Sequence, residues 1–159
     1  MARKGDCEIY RDTMKYTCET IANNGDFLVV TTAGSGVVLG NTMGQASLVA
    51  NPSGYKVAGM LSHDVVDTDL TRYKLNIYKN EHKKGDPACL FRKAIVTVDS
   101  LKSGDAPTAG DTAYLYNNGQ VTKTVSATGG LVATPKVGEF QGKKDENGFI
   151  CLEIDLPNV

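Results

Sequence analysis

A chain of 159 residues with 17 Lys and Arg against 18 Asp and Glu carries a net charge of −1, so no global basic field exists to hold nucleic acid or an anionic membrane. No apolar stretch approaches the roughly 20 residues that a membrane helix needs. The length suits one domain plus an appendage, and 41% hydrophobic residues, 17 glycines and no Trp suit short strands joined by tight turns.

Residues 1–25 are polar and charge-mixed, with scattered Ile9, Tyr10, Met14, Tyr16 and Ile21. Neither a helical nor a strand period holds through them. The segment reads as an extended N-terminal arm, with Tyr10, Met14 and Tyr16 as anchoring side chains for a protein interface. A frayed tail, or an edge strand packing on its own domain, is the alternative. Arg3, Lys4, Asp6 and Glu8 leave no apolar core for a signal peptide. The turn signal Asn23-Asn24-Gly25-Asp26 closes the arm, and residues 26–159 form the β-domain.

Strand patterns then follow at 27–32, 36–40, 46–50 and 55–61, with Gly59 marking a bulge or tight bend. Residues 62–72 read as a loop or one helical turn. Residues 73–78 alternate as a strand, and 79–87 form a charged loop. Residues 88–98 are β-rich, with Arg92 and Lys93 at a bend between two strands. Asn117-Asn118-Gly119 sits between strands at 112–116 and 120–125, a hairpin signal because such a turn needs positive φ. Residues 126–135 read as a surface loop. Strands at 137–141 and 149–156 flank another turn, and the last puts Ile150, Leu152, Ile154 and Leu156 on one face. Roughly nine or ten strands at this spacing predict a mainly β fold, a compact β-barrel or β-sandwich-like domain of short antiparallel strands.

The candidate chemistry is sparse. His63, Asp64, Asp67 and Asp69 form the one cluster with ligands for a divalent cation, but without the alternating spacing of a calcium loop. Asp145-Glu146-Asn147-Gly148 is too short for such a loop and reads as a hairpin turn. His82 lies among Lys79, Glu81, Lys83 and Lys84, a solvated charged loop that can meet an acidic surface. The glycines around Ser35 lack the Lys-Ser/Thr of a phosphate loop. Cys7, Cys18, Cys89 and Cys151 show no CxxC spacing and read as reduced thiols in a reducing cytosol. No catalytic residue, metal or cofactor is expected.

Val57-Ala58-Gly59-Met60-Leu61, then Gly110-Asp111-Thr112-Ala113-Tyr114-Leu115, Val137-Gly138-Glu139-Phe140 and Gly148-Phe149-Ile150-Cys151-Leu152-Glu153-Ile154 resemble the head decoration, or capsid cement, proteins of tailed bacteriophages. The likeness spans residues 27–156 and rests on the order of elements. It implies a non-enzymatic virion protein, made in the bacterial host cytoplasm and placed on the outer surface of the expanded capsid. It implies binding across junctions of the major capsid protein, often as a homotrimer, with no nucleic-acid or membrane partner. Two other readings stand beside it. One is a glycan- or host-surface-binding β-module using Tyr114 and Tyr116. The other is a small metal-dependent enzyme using the loop from Asp64 to Asp69.

Overall fold

A computed structural model of the chain describes residues 3–35, 43–67, 81–125 and 134–157, with backbone alone for 3–7. Eleven strands and no α-helix occur among them. In chain order these are β1 (Arg3–Cys18), β2 (Phe27–Thr32), β3 (Gly44–Ser47), β4 (Lys56–Leu61), β5 (Val65–Val66), β6 (His82–Lys83), β7 (Pro87–Val98), β8 (Thr112–Leu115), β9 (Val121–Thr122), β10 (Lys136–Phe140) and β11 (Ile150–Asp155). The mainly β, barrel-containing fold is the one the alternation predicts.

Five strands close on themselves in the order β1-β3-β2-β4-β7 and back to β1. All these pairings are antiparallel except β1 with β3. Closure gives every barrel strand a partner on both sides over some of its length, which removes the open edge that Val-rich strands would otherwise offer to other chains. The barrel is filled by Cys18, Leu28, Ala46, Ala58, Leu61, Ala88 and Leu90, all fully buried. Small residues dominate because a five-stranded barrel has a narrow interior.

β7 belongs to two sheets. Its start pairs with β4, Met60 opposite Phe91 and Leu61 opposite Leu90. From Lys93 to Val98 the same edge pairs with β11, and the sheet continues through β10 and β8 to β9. Leu101, just past β7, bridges Val121 of β9, so this second sheet curls back toward its own first strand. The outer face of the barrel (Phe27, Val29, Val57, Met60, Phe91) packs against the second sheet's Val96, Val98, Leu115, Val137, Phe140, Ile150, Leu152 and Ile154 in one larger core. This layered core holds most of the large buried side chains and is the main source of hydrophobic stabilisation.

The alternation of β11 is as read: Ile150, Leu152, Ile154 and Leu156 are buried, Cys151 and Glu153 half-buried, and Asp155 exposed. Gly59 sits at a bulge. Leu28 lies opposite Gly59, and Val29 already opposite Val57. The extra residue lets Val57 and Met60 face the larger core while Ala58 and Leu61 face the barrel interior. The β8–β9 hairpin also forms, with Asn118 (φ 54°, ψ 40°) and Gly119 (φ 74°) in the left-handed region. Its loop is longer than the two residues of the tightest hairpins, because Asn117–Gly119 first make a turn of 3-10 helix.

Three readings change. The segment 1–25, read as an arm outside the domain 26–159, contains the longest strand: β1 runs 16 residues and closes the barrel. Residues 88–98, read as two strands bent at Arg92 and Lys93, form one continuous strand. The bend signal marks the point where that strand exchanges β4 for β11. His82 is half-buried in β6, parallel to β5, rather than in a solvated loop. The strand expected at 73–78, that at 36–40 and most of the loop at 126–135 lie outside the described residues.

Candidate interaction surface

β1 pairs with β7 through an irregular register, with shifts between Lys4 and Glu8, Ile9 and Arg11, Arg11 and Asp12, and Thr13 and Tyr16. Each shift resets which side chains point outward. The consequence is that neighbouring apolar residues Ile9 (48% exposed) and Tyr10 (60%) both reach solvent, as does Met14 (48%). The Tyr10 hydroxyl donates to Glu8 Oε2 at 2.6 Å, and this bond to a carboxylate holds the phenol's pKa above its ordinary value. Glu8 thereby fixes the outward ring at its polar tip.

Tyr16 is placed differently. Its ring is half-buried against the barrel cluster and lies over Gly44, where an added Cβ would come within 2.8 Å of the ring's Cδ1. Of the three anchors read from the sequence, Tyr10 and Met14 are offered outward and Tyr16 serves internal packing as well. Ile9 was missed as an outward residue because its exposure depends on a register shift with no sequence signature.

The His63 cluster is built at one end of the barrel. Ser62 is buried and its Oγ lies 2.6 Å from His63 Nδ1. The His63 and His82 rings meet edge to face with centroids 5.1 Å apart. Asp64 Oδ1 accepts the Asn24 backbone N–H at 2.6 Å, so this carboxylate ties the β1–β2 connection to the barrel. Asp67 is exposed, and Asp69 lies outside the described residues. Among the described residues no three His, Cys, Asp or Glu side chains converge as metal ligands.

Asp145 performs the turn role expected of it. Its Oδ1 accepts the backbone N–H groups of Asn147 (2.9 Å) and Phe149 (2.7 Å), and Gly148 follows with φ 90°. Tyr114 and Tyr116 are half-buried, and Lys102 Nζ stands 4.6 Å from the Tyr116 ring centroid, covering a face that a sugar would stack on. Cys18, Cys89 and Cys151 are free thiols, and the Cys7 side chain lies outside the described residues. Burial raises the pKa of the Cys18 and Cys151 thiols, which suppresses the reactive thiolate.

No helix among the described residues is long and apolar enough to cross a membrane. Neither known protein families nor curated proteins yield a match to this chain.

Proposed function

We propose that this protein is a structural virion component that binds the outer surface of the expanded capsid across junctions of the major capsid protein and stabilises the shell. The observation that carries the reading is the apolar trio Ile9, Tyr10 and Met14, held outward on a strand that is itself locked into a closed barrel. The order of elements that resembles cement proteins supports it, since Val57 to Leu61, Thr112 to Leu115, Val137 to Phe140 and Ile150 to Ile154 all fall within strands. A rigid platform loses little conformational entropy when it docks, so burial of three large side chains is retained as affinity. Full burial of an Ile or Met side chain contributes about 1.5–3 kcal/mol.

The mechanism is linkage. A protein that binds the assembled lattice and not separated subunits stabilises the lattice by RT ln(1 + [L]/Kd) at each site. Many sites on one shell add, and a homotrimer would strengthen the attachment through multivalency.

The test is co-sedimentation with expanded capsids of the cognate major capsid protein, with unexpanded capsids as comparison. Saturable binding to the expanded form alone is expected. The Ile9→Ser, Tyr10→Ala, Met14→Ser triple variant should keep its fold and bind at least about tenfold more weakly, as loss of central apolar anchors does. No binding by the unaltered protein would refute the reading.

A further inference from the structure

Arg92 is the most unusual charged residue of the described chain. It is only 5% exposed, at the point where β7 passes from the barrel to the second sheet. Its guanidinium donates to three carbonyl oxygens: Ala58 and, at 3.4 Å, Val57 through Nη1, and Pro157 at 2.6 Å through Nη2. These acceptors are neutral, so they satisfy hydrogen-bonding geometry without adding a countercharge. Buried cations normally sit against a carboxylate, because removing a charge from water is otherwise expensive. Here no carboxylate pairs with Arg92 among the described residues. Burial lowers its pKa, Tyr16 opposes that, and a second cation, Arg11, adds to the lowering; Arg11 Nη2 donates to the Leu156 carbonyl.

Arg92 is also part of the wall of a cleft of about 490 Å³ at the seam between the two sheets. Lys56 on β4 and Lys136 on β10 stand exposed at its sides, and among the described residues none that lines it is acidic. Tyr55, Leu156 and Pro157 supply an apolar wall. A cleft of this volume suits a small ligand. Three cationic residues from three strands line it, one of them buried and held by backbone carbonyls. Arginine carries five N–H donors in a rigid fork, more than its three carbonyl acceptors use.

We infer that this cleft is an oxyanion-binding site, taking a small organic acid or phosphate ester whose carboxylate or phosphate lies against Arg92 between Lys56 and Lys136. The anion would supply a countercharge to Arg92, and the ligand's carbon skeleton would lie on Tyr55 and Pro157. This site is on a different surface element from the β1 trio and stands or falls independently of capsid binding.

The experiment titrates the full chain with inorganic phosphate and, separately, with succinate, against sodium chloride at matched ionic strength. Thermal unfolding and backbone amide shifts are followed together. The expected result is a saturable rise in Tm beyond the chloride control, with amide shifts at Lys56, Arg92 and Lys136. A response to phosphate alone identifies a phosphate ligand, and one to succinate alone a carboxylate. The Lys56→Ala, Lys136→Ala variant removes only exposed side chains and should fold normally while weakening the anion response roughly tenfold, as loss of charge-assisted contacts does. Arg92→Met should abolish the response. Shifts no greater than with chloride, or an unaltered response in the double-lysine variant, would overturn the assignment, whether or not the Arg92 variant folds.

Discussion

Gly59 lies directly against Leu90: a Cβ at position 59 would stand 2.8 Å from the Leu90 Cβ and 2.8 Å from the Phe91 carbonyl oxygen. The contact joins β4 to β7 at the bulge that lets one strand serve both the barrel interior and the larger core. Gly59→Ala is therefore expected to destabilise the fold by about 1–3 kcal/mol, the usual cost of overpacking. Gly142→Ala, where an added Cβ meets nothing within 4 Å, is the control and should be near neutral. Urea unfolding of the two variants checks the difference. Equal midpoints would mean that the sheet relaxes around the new methyl group.

Asp26 gives the barrel a pH dependence. Its side chain is buried, and burial pushes its pKa from 3.8 to about 6, against the lowering effect of the Asn23 backbone N–H that donates to Oδ2 at 2.8 Å. Asp64 and Asp99 push in the same direction as burial. The folded state thus holds a proton that the unfolded state has released between those two values. Stability falls as pH rises through that window and levels off above it. Asp26→Asn keeps an acceptor for Asn23 and carries no charge. It should match the unaltered protein near pH 4 and exceed it at pH 7 by on the order of 2 kcal/mol. Urea midpoints at several pH values measure this, and a parallel pair of pH profiles would count against it.

What the sequence disclosed, and what it hid, follows from how each strand is paired. β11 was legible because one face is fully buried and its pairing with β7 is unbroken from Ile150 to Asp155. The β8–β9 hairpin was legible because only Asn and Gly enter the left-handed region cheaply. β1 was not legible. Its repeated register shifts destroy the two-residue period, and part of its surface faces solvent, so a 16-residue strand reads as irregular polar chain. Tyr10 and Met14 nevertheless stood out as large side chains in a polar stretch, and both reach solvent. The Arg92 cleft was invisible, since Tyr55, Lys56, Arg92, Lys136 and Pro157 come together only in the fold.

Asp105 holds the β9 strand in place. Its Oδ2 accepts from the buried Thr122 hydroxyl and from the Lys123 backbone N–H at 3.2 Å. Asp105→Ala leaves the Thr122 hydroxyl without this partner and should cost about 1–3 kcal/mol. Thr122→Val, which removes the buried hydroxyl as well, should restore part of the loss when combined with it. A double-mutant cycle by urea unfolding reads the coupling, and simple additivity would show that the two groups do not act together.

Cys18 should be the most protected of the three described thiols. It is fully buried in the barrel, its Sγ donates to the Thr20 carbonyl at 3.2 Å, and burial raises its pKa. Alkylation of the folded protein followed by peptide mass spectrometry should leave Cys18 unmodified while half-buried Cys89 reacts. Modification of Cys18 at the rate of Cys89 would mean that the barrel opens readily at β1.

The last prediction concerns β1 as a whole. At Tyr16–Cys18 it is hydrogen-bonded to β3 on one side, and along its length it pairs with β7 on the other. Cys18 fills the barrel, and Ala22 just beyond it is bridged to Val65 in both directions, at 3.2 and 2.8 Å. Deleting residues 1–25 would leave β3 and β7 with unpaired edges and open the interior lined by Leu28, Ala46, Ala58 and Leu90. Buried backbone groups without partners and exposed β edges are both costly, and the second leads to aggregation. The truncated chain is therefore expected to lose its cooperative urea transition and to aggregate. The Ile9, Tyr10, Met14 triple variant should unfold cooperatively near the original midpoint, because those side chains face solvent. Circular dichroism and light scattering on the pair decide the matter. A cooperative transition in the truncated chain would show that β2, β3, β4 and β7 close without β1, and that the segment is a separable arm after all.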